Sequence, residues 1–159
     1  MNGTRVRRHI RAAREAVYRA LLDPVAIAQW RVPDGMRCVV HEWDARVGGT
    51  LRVSLTYDEP ADAGKTTSHT DTYRGEFVEL VPNARVVEVD EFETADPALQ
   101  GRMRSTITLT DAPGGGTELE AVHADLPAGL SVSDNELGWR LALEKLASHV
   151  ESRAGAGSA

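Results

Sequence analysis

The sequence predicts an α+β domain in which a curved antiparallel sheet wraps around a long C-terminal helix. Three observations carry this. The stretch Ser131–Arg153 (SVSDNELGWRLALEKLASHVESR) holds the longest helical pattern in the chain. Leu143, Leu146, Ala147 and Val150 recur there at three- and four-residue steps, with Trp139 one turn earlier. About six alternating segments joined by short turns precede it, the pattern of an antiparallel sheet. Two short helical patterns follow the first strand, near the N-terminus. A helix with one apolar face must bury it, and only the sheet made by the preceding strands is large enough to receive it.

Thr4 to Arg11 alternates around Val6 and Ile10 and reads as the first strand. Ala12 to Asp23 reads as a helix with Val17, Leu21 and Leu22 on one side. Asp23-Pro24 ends it, because the residue before a proline disfavours helical backbone. Pro24 then opens a second helix to about Trp30 as its first residue, and Pro33-Asp34-Gly35 is a turn. Arg37 to Trp43 is apolar on both faces, a buried or twisted strand. Leu51, Val53, Leu55 and Tyr57 alternate with polar residues in the next. Asp58 to Ser68 is a polar loop. Thr70 to Val81 is a strand in which Gly75 is expected to mark a bulge. Arg85 to Glu93 is a strand of imperfect alternation that places Val87, Val89 and Glu91 on one face. Met103 to Thr110 and Thr117 to His123 are strands joined by Ala112-Pro113-Gly114-Gly115-Gly116. Ser133 and Glu136 have the spacing of a capping box at the start of the long helix. One domain is expected over residues 1–153, with a disordered tail over 154–159.

The composition narrows the function. Hydrophobic content of 42% and charged content of 26% suit a folded domain with a core. A net charge of −6 argues against a nucleic-acid partner, whose binders carry a basic face. No apolar run approaches the roughly 20 residues needed to span a bilayer, so no membrane insertion is expected. The N-terminal MNGTRVRRHIRA has basic residues without an apolar stretch after them and is not a secretory signal. Cys38 is alone, which fits a cytoplasmic protein.

Five segments in this order resemble a known superfamily. They are AAREAVYRALLDPVAIAQW (Ala12–Trp30), DARVGG (Asp44–Gly49), GEFVELVPNARVV (Gly75–Val87), TLTDAPGGGTELE (Thr108–Glu120) and GWRLALEKLA (Gly138–Ala147). The chain is similar to the START-like (SRPBCC) superfamily, with the helix-grip or birch-pollen-allergen-like fold. Within it the resemblance is greatest to proteins related to the C-terminal domain of the heat-shock-protein-90 ATPase activator. It implies a sheet of six to seven strands around the C-terminal helix, with a cavity between them closed near the two short helices. Because the superfamily hosts several functions on one scaffold, function must be argued from the site.

Sheet alternation nominates the site. Trp30, Met36, Trp43, Tyr57, Met103 and Trp139 would supply apolar walls. His41, Tyr73, His123 and Leu143 complete the set expected to bind a ligand. Trp30 and Trp139 are read first as packing residues and second as ligand contacts. His123 is read first as a hydrogen-bonded interior histidine and second as a general base. Glu91 and Tyr73 are the other catalytic candidates; a carboxylate inside the cavity would need a cation or a raised pKa. His41, His69 and His123 could meet at a metal, yet no two have zinc-motif spacing, so neither a metal nor another cofactor is expected. Three functions compete: binding of a small hydrophobic or aromatic molecule, a polyketide cyclase/dehydratase-like enzyme, and a co-chaperone-like interaction domain. The first is favoured. The third is weakened because the chain has no room for a separate N-terminal chaperone-binding domain. A homodimer and a protein partner are both left open.

Overall fold

The computed structural model describes residues 3–33, 35–57 and 70–157, with side chains to Arg153. Asp34, the loop expected over Asp58–Ser68, His69 and residues 158–159 lie outside the described residues.

The first strand, β1 (Thr4–Ile10), is followed by helices α1 (Arg14–Leu22) and α2 (Pro24–Trp30). Asp23 joins the helices: its carboxylate accepts the Val25 N–H at 2.9 Å, and Pro24 fills the first position of α2. Six strands follow: β2 (Met36–Trp43), β3 (Thr50–Tyr57), β4 (Thr70–Val81), β5 (Arg85–Phe92), β6 (Met103–Asp111) and β7 (Thr117–Ala124). All pairings are antiparallel, in the order β1-β7-β6-β5-β4-β3-β2, so the sheet has seven strands with β1 and β2 at its edges. The last element is α3 (Val132–Gly157), which is assigned four residues beyond the expected Arg153.

The periodicity that predicted α3 is also what anchors it. Leu143, Leu146, Ala147 and Val150 are buried in one core with Val6 and Ile10 of β1, Val17 and Leu21 of α1, and Ile27 of α2. No helix of the described residues is long and apolar enough to cross a membrane.

Three local expectations are corrected. The helix is capped by Ser131, whose hydroxyl accepts the Asp134 N–H at 3.2 Å. Ser133 therefore falls inside the first turn, and Glu136 pairs instead with Arg140 one turn on. Gly75 is not at a bulge; the irregularity of β4 lies between Phe77 and Glu79. Gly75 has another reason to lack a side chain, since a Cβ there would stand 2.0 Å from Asp90 Oδ1 and 2.3 Å from the Val89 carbonyl. The third correction is a shift in β2 between Val40 and Glu42 that leaves His41 as the extra residue. Met36, Cys38 and Val40 alternate with exposed Arg37 and Val39, and beyond the bulge it is Trp43 that turns inward.

Candidate functional site

Between the concave face of the sheet and α3 lies a cavity of about 640 Å3. Its size falls in the roughly 300–1,000 Å3 range of small-molecule sites. Each element contributes through ordinary alternation. The end of α2 supplies Trp30 and, just past it, Arg31. Met36 comes from β2, Leu55 and Tyr57 from β3, and Asp71 and Tyr73 from β4. Asp90 and Phe92 come from β5, Met103 from β6 and His123 from β7. On α3 the stripe Asn135, Gly138, Trp139 and Ala142, spaced for one helix face, closes the other side.

The apolar walls meet a polar end built around Arg31. Its guanidinium donates to both carboxylate oxygens of Glu88, at 2.9 and 3.0 Å. It also lies 3.6 Å from Asp90 Oδ2 and stacks 5.4 Å from the Tyr73 ring centroid. These groups sit deep: side-chain exposure is 16% for Arg31, 4% for Glu88 and 5% for Asp90. Burial alone would lower the Arg31 pKa, but the Glu88 charge more than offsets it and holds it above the usual value. Burial would raise Glu88, and the Arg31 charge and hydrogen bonds bring it below the usual carboxylate range. Asp90 shares the same cation at longer range. Burial and then the neighbouring Glu88 charge push it well above the usual carboxylate range, in the opposite direction to Glu88. Burial raises Tyr73 as well. Two polar atoms are left buried without a hydrogen-bond partner here, Tyr73 Oη and Asp90 Oδ1.

His123 stands against α3. Its Nδ1 accepts the Trp139 indole N–H at 3.1 Å and lies 3.3 Å from Asn135 Oδ1, itself an acceptor. An indole nitrogen can only donate, so the neutral ring keeps its proton on Nε2. Burial pushes this histidine down from 6.5 to about 4, and the Arg31 charge acts in the same direction. Between these values the unfolded chain binds the proton more readily than the folded one. Stability is therefore full above pH 6.5 and is lost as the pH falls toward 4. From pH 7 to pH 5 the native protein should lose roughly 2 kcal/mol more than a His123→Gln variant. Urea midpoints at the two pH values test this, and equal losses would mean that His123 is not held neutral.

The placement of the expected site residues is mixed. Trp30, Met36, Tyr57, Tyr73, Met103, His123 and Trp139 all border the cavity. Four others are elsewhere. His41 is exposed on the bulge of β2, its ring 2.7 Å from Ser54 Oγ on the outer side, so it cannot converge with His123 on a metal. Trp43 packs edge-to-face on Phe77 at 5.2 Å and donates to the Leu22 carbonyl at 2.8 Å. Leu143 is buried in the core below the cavity. Glu91 points to the convex face and pairs with Arg74 at 3.2 Å.

The register of β5 explains Glu91. Apolar character favours Val87 and Val89 as the inner positions, but Glu88 and Asp90 take the concave side because Arg31 is there to receive them. Arg31, Glu88 and Asp90 were thus missed by alternation. The available signal was the imperfect pattern of Val86, Glu88, Asp90 and Phe92, two acids bracketed by apolar residues at one parity.

A second concavity of about 670 Å3 lies on the convex face, lined by Glu42, Arg52, Arg74, Glu76, Glu91, Glu93 and Arg102 among others. Its arginines are already paired: Arg52 with Glu93, Arg74 with Glu91 and Arg102 with Glu76. The inner cavity, with apolar walls and unpartnered polar atoms, is the better candidate.

Residues 11–151 match the family described as activator of Hsp90 ATPase homolog 1-like protein. Protein CV1439 of Chromobacterium violaceum is 37% identical over 94% of this chain and 97% of its own, with a TM-score of 0.84. An AHSA1-like protein of Aeromonas hydrophila is 19% identical over 96% of this chain and 94% of its own, with a TM-score of 0.72. DynU16, from the dynemicin biosynthetic locus, is 22% identical over 95% of this chain but 48% of its own, with a TM-score of 0.65. At those identities the last two speak for the fold alone. No curated protein matches the chain.

Proposed function

The chain belongs to the activator of Hsp90 ATPase homolog 1-like family, and from that premise we propose that it binds a small apolar or aromatic molecule between the sheet and α3. The observation that carries this reading is the cavity of about 640 Å3, walled by Trp30, Met36, Leu55, Phe92, Met103 and Trp139. A core with no ligand to hold would close such a space, because interiors pack to the density of organic crystals.

Thermal unfolding against lipids, flavonoids and polyketide-like aromatics tests it. A ligand at 100 times its dissociation constant adds about 2.7 kcal/mol, which for a domain this size raises Tm by roughly 5–11 °C. Gly138 provides the control. It belongs to the α3 stripe along the cavity, and a Cβ there would meet nothing within 4 Å. Gly138→Leu should project into the cavity, occupy part of it and reduce the ligand-induced shift. It should also stabilise the ligand-free protein by roughly 0.5–1 kcal/mol, since glycine is a poor residue inside a helix. A flat panel, or equal shifts in both proteins, would count against the reading.

A further inference from the structure

The fold fixes the hydrogen-bonding direction of one polar group on the cavity wall. His123 stands on β7 against α3 and borders the cavity. The lone pair of its Nδ1 is taken by the Trp139 indole N–H at 3.1 Å, which leaves the ring proton on Nε2. The two rings also meet edge-to-face with centroids 5.7 Å apart, a contact that helps hold the imidazole in place. Nε2 makes no hydrogen bond among the described residues, yet it is not sealed in. The buried side-chain polar atoms without a partner there are Thr4 Oγ1, Arg8 Nε, Tyr73 Oη and Asp90 Oδ1. Nε2 therefore keeps accessible surface, and the space that His123 borders is the cavity. By contrast, Tyr73 Oη and Asp90 Oδ1 are covered and out of a ligand's reach. Both terminal nitrogens of Arg31 donate to Glu88.

We infer that His123 is the polar anchor of the cavity, its Nε2–H donating to a carbonyl oxygen carried by an aromatic ligand. This rests on the ligand-binding reading above and deepens it by naming one contact and the acceptor it requires. A ligand that fills the cavity takes Nε2–H away from water. A hydrocarbon leaves that donor unmet, which is costly, whereas a ketone replaces the lost hydrogen bond. The same geometry speaks against His123 as a general base. A base needs a free lone pair, and the one on Nδ1 is held by Trp139. Trp139 is thus a positioning residue, since its contact with one ring nitrogen decides that the other carries the proton.

Two probes test this, naphthalene and 2-acetylnaphthalene, titrated calorimetrically at neutral pH into the native protein, His123→Met and His123→Gln. The readout is the ratio of the two dissociation constants, because a change of side-chain volume acts on both probes. The native protein should favour the ketone roughly fivefold, the worth of one ordinary hydrogen bond. His123→Met should abolish the preference. His123→Gln, which keeps an N–H donor at similar reach, should retain part of it. Nitrogen NMR of the imidazole in the isotope-labelled native protein adds a readout that needs no variant and that packing alone would not move. In the free protein Nε2 should carry the proton and Nδ1 should not. The ketone should shift the Nε2–H proton downfield, and naphthalene should leave it in place. A proton found on Nδ1, equal affinity for the two probes, or a ratio unmoved by His123→Met would each overturn the inference. In those cases naphthalene still binds, and the broader reading survives. If neither probe binds, the ligand-binding reading falls and this inference with it.

Discussion

Replacing Arg31 by methionine should destabilise the fold by about 3–5 kcal/mol. The methionine fills most of the space of the arginine stem, so the loss is one of charge compensation more than of volume. Glu88 would keep a carboxylate at 4% exposure with neither of its two guanidinium hydrogen bonds, and Asp90 would lose its nearest cation. The protein has only about 5–15 kcal/mol of stability in total if it resembles other domains, so the variant should lie near the edge of folding at neutral pH. Two further results would identify the cause. Adding Glu88→Gln to Arg31→Met should recover part of the loss, because the uncompensated charge is then gone. Lowering the pH should narrow the gap between Arg31→Met and the native protein, because Glu88 can discharge by taking up a proton. Urea denaturation at two pH values reads both. A deficit under about 1 kcal/mol, the size of an exposed ion pair, would show that Arg31 is solvated and that the polar end of the cavity is not built as described.

Trp30→Ala should cost a comparable amount, about 3–5 kcal/mol, by a different mechanism. Trp30 is 1% exposed at the end of α2, and its indole N–H donates to the Ala20 carbonyl at 3.0 Å. Truncation empties a large volume in the corner where α1, α2 and the cavity meet, and strips a buried carbonyl of its donor. Trp30→Phe should cost less, because most of the ring volume remains and the loss is chiefly the hydrogen bond. Trp139 provides the contrast. It is half-buried, so Trp139→Ala should cost less than Trp30→Ala, while it frees His123 Nδ1 from its donor. Equal losses at the two tryptophans would mean that Trp30 is not the packing anchor of that corner. Of the two sequence readings of Trp30, packing residue and ligand contact, its near-complete burial supports the first, although the residue also borders the cavity.

Much of the molecule was legible in the sequence because local physics writes it there. Period-two alternation specified β3, β6 and β7. The 3.6-residue stripe specified α3 and the residues it buries. Asp23-Pro24 specified the break between α1 and α2 through the backbone limits of proline. Alternation also brought Tyr57, Tyr73, Met103 and His123 to the cavity, since parity within an unbroken strand decides facing. The misses have equally particular causes. His41 was misplaced with Trp43 because one extra residue in β2 reverses the parity between them, and a bulge leaves no pattern in its own strand. Ser133 was mistaken for the cap because a helix start is set within one turn, and Ser131 offers the same chemistry two residues earlier.

What the sequence determined by itself is the architecture: which segments are strands or helices, their order, and the apolar faces that must come together. What only the tertiary structure decided is the polar end of the cavity. Nothing near Glu88 and Asp90 in the chain accounts for two acids on the inner face of β5. Their partner, Arg31, is 57 residues from Glu88 and follows the last turn of α2. Gly75, on the neighbouring strand, is bare because Asp90 needs the space. Hydrophobic periodicity is a local property and is repeated along the chain. Compensation of a buried charge is a single contact between distant residues, and it exists only once the sheet has curled.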